Sequence, residues 1–273
     1  MPNWCYNSLN ISGTKEDMTK FYNALSIKLE SNMDGDTVEK EGVRLFDFND
    51  FVEMPEVLEI TSGSNTNEAV ACIKAESFDD WTEIDRYLGW DAWTETANVN
   101  PEDELSVRRQ TMLDHCLGEL SKVDFENGLQ FLENVKTYGA GTWYDWCCNN
   151  WGTKWNACSV YVHHAVEDEL SLSFETAWSP PIPVIEALIE QHPNLFVEME
   201  YSEEGMEFAG RMGSDGGVAF YHDAEIKYLS SCCKSDMQAE GWTEKAEELK
   251  LEEYENCPKC HEECDQETEF IYD

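Results

Sequence analysis

Residues 3–13 place Cys5, Asn7, Leu9 and Ile11 on one parity and Trp4, Tyr6, Ser8 and Asn10 on the other, until Gly13 interrupts the run. This two-residue period predicts a strand with two unlike faces. Thr14 and Asp17 then have capping spacing, and Met18, Phe21, Tyr22, Leu25 and Leu29 recur at helical intervals, predicting a helix over about 15–30. From 31 to about 140 the regularity weakens, with a turn at Asp34-Gly35-Asp36, an aromatic stretch Phe46-Asp47-Phe48 with Phe51, and Met54-Pro55. Within this insertion Pro101 opens an acidic first turn, and Leu105, Met112, Leu113, Cys116, Leu117 and Leu120 trace one helical face. Leu129, Leu132 and Val135 predict another helix over about 125–137.

In the second half Cys158, Val160 and Val162 alternate, and Leu170, Leu172 and Phe174 alternate with Ser171, Ser173 and Glu175. Joined at 165–169, these runs predict an antiparallel hairpin. Ser179-Pro180-Pro181-Ile182-Pro183 gives a stiff entry to a helical face of Val184, Ile185, Leu188 and Ile189, which His192-Pro193 ends. Val197, Met199 and Tyr201 alternate with Glu198 and Glu200 as a further strand. The order is βαββαβ, that of the ferredoxin-like plait in the α+β class. The expected organisation is one ferredoxin-like domain over 1–220 with a long, partly helical insertion at about 31–140, followed by an acidic C-terminal extension over 221–273. Ile226, Leu229 and Cys233 predict a helical arm there, and the rest reads as a helical or disordered tail.

Charge sharpens this picture. The chain has 273 residues, 57 acidic and 18 basic, for a net charge of −39, and the segment 235–273 alone has 14 acids against 3 bases, a net −11. Such a field opposes phosphate backbones and anionic lipid, which argues against direct nucleic-acid or membrane binding, and it attracts a basic partner surface. No run of 18 apolar residues occurs, and the start Met1-Pro2-Asn3-Trp4-Cys5 lacks the profile of a signal peptide, so a cytoplasmic location is expected. The 11 cysteines include the adjacent pairs Cys147-Cys148 and Cys232-Cys233, a layout suited to reduced thiols.

Five separated blocks carry a family resemblance: Met1-Pro2-Asn3-Trp4-Cys5-Tyr6-Asn7; Phe46-Asp47-Phe48 with Met54-Pro55; Tyr144-Asp145-Trp146-Cys147 with Asn150-Trp151-Gly152-Thr153-Lys154-Trp155; Thr176-Ala177-Trp178-Ser179-Pro180-Pro181; and Glu203-Glu204-Gly205-Met206 with Ala209-Gly210. In this order they resemble the YubB-type ferredoxin-like domain family. The resemblance implies a phage- or plasmid-borne protein of a bacterial host, a ferredoxin-like fold, no iron–sulfur cluster and no assigned activity. It supplies no catalytic residues.

Three groups of residues suggest chemistry. Cys257-Pro258-Lys259-Cys260-His261-Glu262-Glu263-Cys264 contains one Cys-x-x-Cys knuckle, with Cys264 as a third thiolate and His261 as a further donor. This suits a structural zinc if His261, Cys232, Cys233 or a group from another chain supplies the fourth ligand, and otherwise reads as incidental thiols in an acidic tail. The tryptophan-rich block holds Trp143, Tyr144, Trp146, Trp151 and Trp155, read here as core and scaffold with a docking role for whichever rings are exposed; Lys154 is its only base, too few for base stacking along a phosphate backbone. Cys158 with His163 or His164 and Glu167 or Asp168 sketches a thiol–imidazole–carboxylate set, but neighbouring strand residues face opposite ways, so at most one imidazole serves the thiol. The glycines at 205–217 match no phosphate loop and read as a turn and hairpin.

No catalytic set is complete, so the sequence favours a binding protein over an enzyme: an acidic interaction module that inhibits a host or defence protein by occupying a basic, nucleic-acid-binding surface. The alternatives are an enzyme using a thiol or bound metal, or a zinc-clipped assembly protein. No pattern bears on oligomeric state.

Overall fold

A computed structural model describes residues 3–25, 46–60, 63–75, 100, 102–104, 106–107, 110–111, 114, 120–216, 218–230 and 266–272. In chain order its elements are β1 (Trp4–Ser12), α1 (Lys15–Ala24), α2 (Ser64–Ala75), α3 (Lys122–Tyr138), α4 (Trp143–Asn150), β2 (Cys158–Ala165), β3 (Glu169–Ala177), α5 (Ile182–Gln191), β4 (Phe196–Glu203), β5 (Phe208–Asp215), β6 (Val218–Ser230) and β7 (Gln266–Tyr272). They fall into two compact units, Met1–Val52 with Trp151–Asp273, and Glu53–Asn150.

The first unit is built on an antiparallel sheet in the order β2-β3-β1-β4-β5-β6-β7. Its first four strands with α1 and α5 form the βαββαβ ferredoxin-like plait, β1 lying between β3 and β4. One parity of β1, β3 and β4 supplies Leu9, Ile11, Leu170, Leu172, Phe174, Val197 and Met199, and the helices supply Met18, Phe21, Val184, Ile185 and Leu188; none is more than 2% exposed. Burying each such side chain stabilises the fold by about 1.5–3 kcal/mol before entropy is charged against it. Phe46 and Phe48 close this core from the segment before the second unit, their rings 5.3 and 6.0 Å from Phe174.

Local chemistry sets the element ends. The Thr14 side chain accepts from the Asp17 N–H at the start of α1, and the helix stops at Ala24 because Leu25 turns extended with ψ 137°, short of the expected end near 30. Residues 26–45 lie outside the described region.

Ile226 and Leu229, expected with Cys233 to form a helical arm, lie on a strand instead, and Cys233 is outside the described residues. β6 pairs with β5 on one side, Met212 opposite Tyr221, and with β7 on the other, Ile226 opposite Phe270. The i, i+3 spacing of Ile226 and Leu229 mimics a helix, but residues 218–224 pair with β5 and residues 224–230 with β7, and this tertiary pairing overrides the local pattern. The acidic end of the chain likewise closes as strand β7, where Thr268, Phe270 and Tyr272 alternate with Glu269 and Ile271. Residues 231–265 are outside the described region.

In the second unit, the Ser121 and Asp124 capping box starts α3 and Gly139, in the left-handed conformation at φ +74°, ends it, bracketing the helix expected over 125–137. α3 packs on α2 through Gly128, where an added Cβ would lie 2.9 Å from the Ala69 Cβ. Asn134, 1% exposed, donates to the carbonyls of Val57 and Gly141 at 2.9 and 3.1 Å and accepts from Gln130. The helix expected after Pro101 falls largely outside the described residues.

Candidate functional site

The helices cover one face of the plait, so the other parity of its strands is open. On β1 that parity is Trp4, Tyr6, Ser8 and Asn10. Strand register places Tyr6 between Glu175 and Ser202, and Ser8 between Ser173 and Glu200. Beyond β4 the sheet does not continue flat. Tyr272 on β7 donates its hydroxyl to Glu200 Oε1 on β4 at 3.0 Å, and Phe270 of β7 lines one cleft with Tyr6 of β1 although β4, β5 and β6 lie between those strands; four strand spacings in a flat sheet are about 19 Å. The sheet therefore curls, carrying β7 back over the open face. Gly213 on β5 permits the curl, since a Cβ there would sit 1.9 Å from the Val197 carbonyl oxygen and 2.8 Å from the Phe220 ring.

The fold of the sheet encloses a cleft of about 290 Å³, with Tyr6, Ser8, Ser159, Glu175, Glu200 and Phe270 in its lining. Tyr6 is 55% exposed. A register shift between Cys158 and Tyr161 marks a bulge in β2, and Ser159 within it has φ +50° and donates its hydroxyl to Glu175 Oε2 at 2.8 Å. Burial, reinforced by the hydrogen bond to Glu200 and its charge, pushes the Tyr272 phenol up to about 12, so it stays a donor. Arg211 on β5 lies opposite Glu200 in register, with its guanidinium 4.6 Å over the Tyr272 ring and 3.8 Å from the Glu198 carboxylate. Among the described residues, the cleft lining holds two carboxylates and no Lys, Arg or His. Carboxylates, hydroxyls and aromatic walls are chemically complementary to a cationic, donor-rich group.

Those parts of the motif blocks that belong to the first unit meet at one end of the same sheet, in a different role. Asn7, 2% exposed, donates to the carbonyl oxygens of Cys5 and Phe174 and to Thr176 Oγ1. Thr176 donates to the Ser179 carbonyl, Ser179 to the Gly152 carbonyl and Thr153 to the Ala177 carbonyl. Asn156 ties in the Phe46-Asp47-Phe48 stretch, accepting from the Phe48 N–H at 3.0 Å and donating to Asp47 Oδ1 at 2.7 Å, while the Trp151 indole donates to the Val52 carbonyl. Gly205 donates its N–H to Glu203 Oε1, and Glu203 Oε2, buried, has no hydrogen-bond partner among the described residues. Burial pushes the Cys5 thiol up to about 12, with the Thr176 hydroxyl opposing and the Glu203 carboxylate adding to the shift. At that value Cys5 is a protonated core thiol. These motif side chains are spent on satisfying buried polar groups, and they hold loops to strand ends.

The residues singled out in the sequence are dispersed. Trp146 and Trp151 are 6% and 4% exposed and serve the core, whereas Tyr144 is exposed and Trp143 and Trp155 are half-buried. Trp155 lies 6.0 Å from Trp4, with the Lys154 ammonium 4.5 Å over its ring. Cys257, Cys260, His261 and Cys264 lie outside the described residues, among which no group of three or more His, Cys, Asp or Glu is placed to hold a metal. The expectation that His163 and His164 face opposite ways is corrected. A register shift between Val162 and His164 keeps both imidazoles out of the core, His163 3.1 Å from Ser173 Oγ and His164 3.3 Å from Glu169 Oε1. Among the described residues no helix is long and apolar enough to cross a membrane.

The cleft was not singled out from sequence. Its signal was present in the polar parity of β1, Tyr6 and Ser8, and in Ser173 and Glu175, but the contribution of β7 was hidden behind 35 intervening residues, 231–265.

A search of curated proteins finds no match. The crystal structure of protein api92 from Yersinia pseudotuberculosis is similar at 15% identity and a TM-score of 0.34, covering 80% of this chain and 95% of that one. Residues 150–270, which contain β2 through most of β7, match the family model described as the ferredoxin-like domain in Api92-like protein. The chain thus has a ferredoxin-like fold, and over residues 150–270 it is similar to the ferredoxin-like domain of Api92-like proteins.

Proposed function

We propose that this protein is an acidic protein-interaction module of a phage or plasmid, acting in the cytoplasm of the bacterial host, which docks through its open sheet face onto a basic, nucleic-acid-binding surface of a host or defence protein and inhibits it. The observation that carries this reading is the cleft on that face, lined among the described residues by Glu175, Glu200 and aromatic rings without a basic residue, in a chain of net charge −39. Ferredoxin-like sheets that bind RNA present aromatic side chains on this face for base stacking, in basic surroundings that suit phosphate. Here acids take the place of bases, which inverts the charge of the accepted partner. The resemblance of the five motif blocks to the YubB-type family supports the mobile-element origin.

The test is capture on the tagged full chain from nuclease-treated host extract, washed at rising salt and challenged with added DNA or RNA. The expected result is a stoichiometric basic protein that salt releases and nucleic acid displaces. A partner indifferent to both removes the mimicry, and the absence of any basic partner removes the interaction reading.

A further inference from the structure

We propose that the cleft between β1, β3, β4 and β7 is the seat of one arginine side chain presented by the partner protein. This rests on the reading of the chain as an interaction module and names the group that its central contact takes.

Size limits the occupant first. At about 290 Å³ the cleft is at or below the lower end of pockets that enclose cofactors or drug-sized ligands, about 300–1,000 Å³, but it has ample room for a single long side chain. Charge then sets the sign. Among the described residues Glu175 and Glu200 are the charged groups of the lining, and Arg211, opposite Glu200 in register, is already engaged by Glu198 and the Tyr272 ring. Each lining carboxylate is oriented by one hydroxyl, Glu175 by Ser159 and Glu200 by Tyr272. Each hydroxyl occupies one oxygen and leaves acceptor capacity on the carboxylate for an incoming donor.

The donor's shape follows from the walls. Tyr6 on β1 and Phe270 on β7 present aromatic surface to the cleft, and a planar guanidinium stacks on such faces while directing five N–H donors outward in its plane, toward carboxylates and serine hydroxyls. A lysine ammonium is a compact, strongly hydrated point charge and uses the aromatic walls less well. The orientation of both carboxylates by Ser159 and Tyr272 prepays part of the ordering cost, which favours binding.

The probe is N-acetyl-arginine methylamide, titrated into the isotope-labelled full chain while backbone amide shifts are followed, with the lysine and glutamine analogues in parallel. The expected result is saturable shifts centred on Tyr6, Ser8, Ser173 and Ser202, with arginine tighter than lysine and glutamine silent. Glu175→Gln with Glu200→Gln should weaken the arginine probe about tenfold or more, and Tyr6→Ala about two- to fivefold. Glu16→Gln with Glu167→Gln removes the same charge at exposed sites away from the cleft lining and should leave affinity within twofold. Gln keeps the acceptor oxygen that each hydroxyl uses, and thermal unfolding of each variant verifies that it is folded.

Shifts scattered over the surface, or equal losses in both pairs of Gln variants, would mean general attraction to an acidic protein and overturn the assignment. Equal affinity for lysine and arginine overturns the guanidinium specificity. A basic partner captured equally well by wild type and the cleft variants overturns the cleft while the interaction reading stands. Arginine bound in the cleft with no basic protein ever captured supports the cleft and removes the interaction reading.

Discussion

Tyr272 on β7 donates its phenolic hydroxyl to Glu200 on β4 at 3.0 Å, and this bond, with the one from Thr268 to Glu204 at 3.4 Å, ties β7 to the plait. Tyr272→Phe keeps the ring against the Arg211 guanidinium, 4.6 Å away, and removes only the donor. In this partly exposed setting the loss should be about 0.5–1.5 kcal/mol, measured by urea unfolding. The pH dependence has a definite sign. Burial and Glu200 raise the folded phenol from 10 to about 12, so its contribution is complete below pH 10 and declines as pH rises from 10 through 12. The Phe variant should lose part of that alkaline slope, the remainder coming from tyrosines such as Tyr221, which is also raised to about 12.

Gly213→Ala tests the curl of the sheet. The new methyl would meet the Val197 carbonyl oxygen at 1.9 Å and the Phe220 ring at 2.8 Å, so strands β4 to β6 must shift. The expected cost is about 1–3 kcal/mol, accompanied by a loss of hydrogen-exchange protection in β7. Gly63→Ala is the matched control, because nothing lies within 4 Å of its added Cβ; its stability should stay within about 0.5 kcal/mol of wild type.

The plait was legible because each of its strands buries one face. Cys5, Leu9 and Ile11 against Tyr6, Ser8 and Asn10, and Leu170 and Leu172 against Ser171 and Ser173, print their two environments directly into the residue order. β5 was less legible because Ala209, Gly210, Met212, Gly213 and Ser214 are all buried, so a strand covered on both faces shows no alternation. β6 misled because its apolar positions happen to fit a helical spacing and the partner that makes it a strand, β7, is remote in sequence. The cleft needed Tyr6, Glu175, Glu200 and Phe270 together, from four strands whose adjacency is a property of topology and curl. The bulge that turns Ser159 toward Glu175 is a backbone feature, φ +50° at a serine, and no residue type announces it.

Thiol reactivity separates core cysteines from surface ones. Burial pushes both Cys5 and Cys147 up to about 12, so at pH 8 about one thiol in 10,000 is ionised at either site, and access is closed as well. Cys148, next in the chain, is exposed. Iodoacetamide labelling of the native protein, read by peptide mass spectrometry, should modify Cys148 at least 100-fold faster than Cys5 or Cys147, and urea should abolish the difference. Fast native labelling of Cys5 would contradict its placement in the polar network with Asn7 and Thr176.

His192 gives the fold a second pH dependence, at the acid side. Its ring packs edge-on to Phe21, centroids 5.3 Å apart, and its N–H closes α5 on the Leu188 carbonyl at 3.0 Å. Burial holds its folded pKa below the ordinary value of 6.5, because protonation puts a charge against apolar surface. The unfolded chain therefore binds a proton first as pH falls. The stabilisation is complete above pH 6.5 and is lost progressively below it, down through the folded pKa, with a slope for this one group of at most about 1.4 kcal/mol per pH unit. Asp17 belongs to a separate window: the Thr14 hydroxyl holds its carboxyl below the ordinary 3.8, so its contribution is present above that value and disappears only at stronger acid. His192→Phe keeps an aromatic ring beside Phe21 and removes the proton. Urea unfolding between pH 7 and pH 5 should show wild type losing stability faster than the variant, the two curves converging in slope above pH 7; parallel curves throughout would show that His192 binds its proton equally well folded and unfolded.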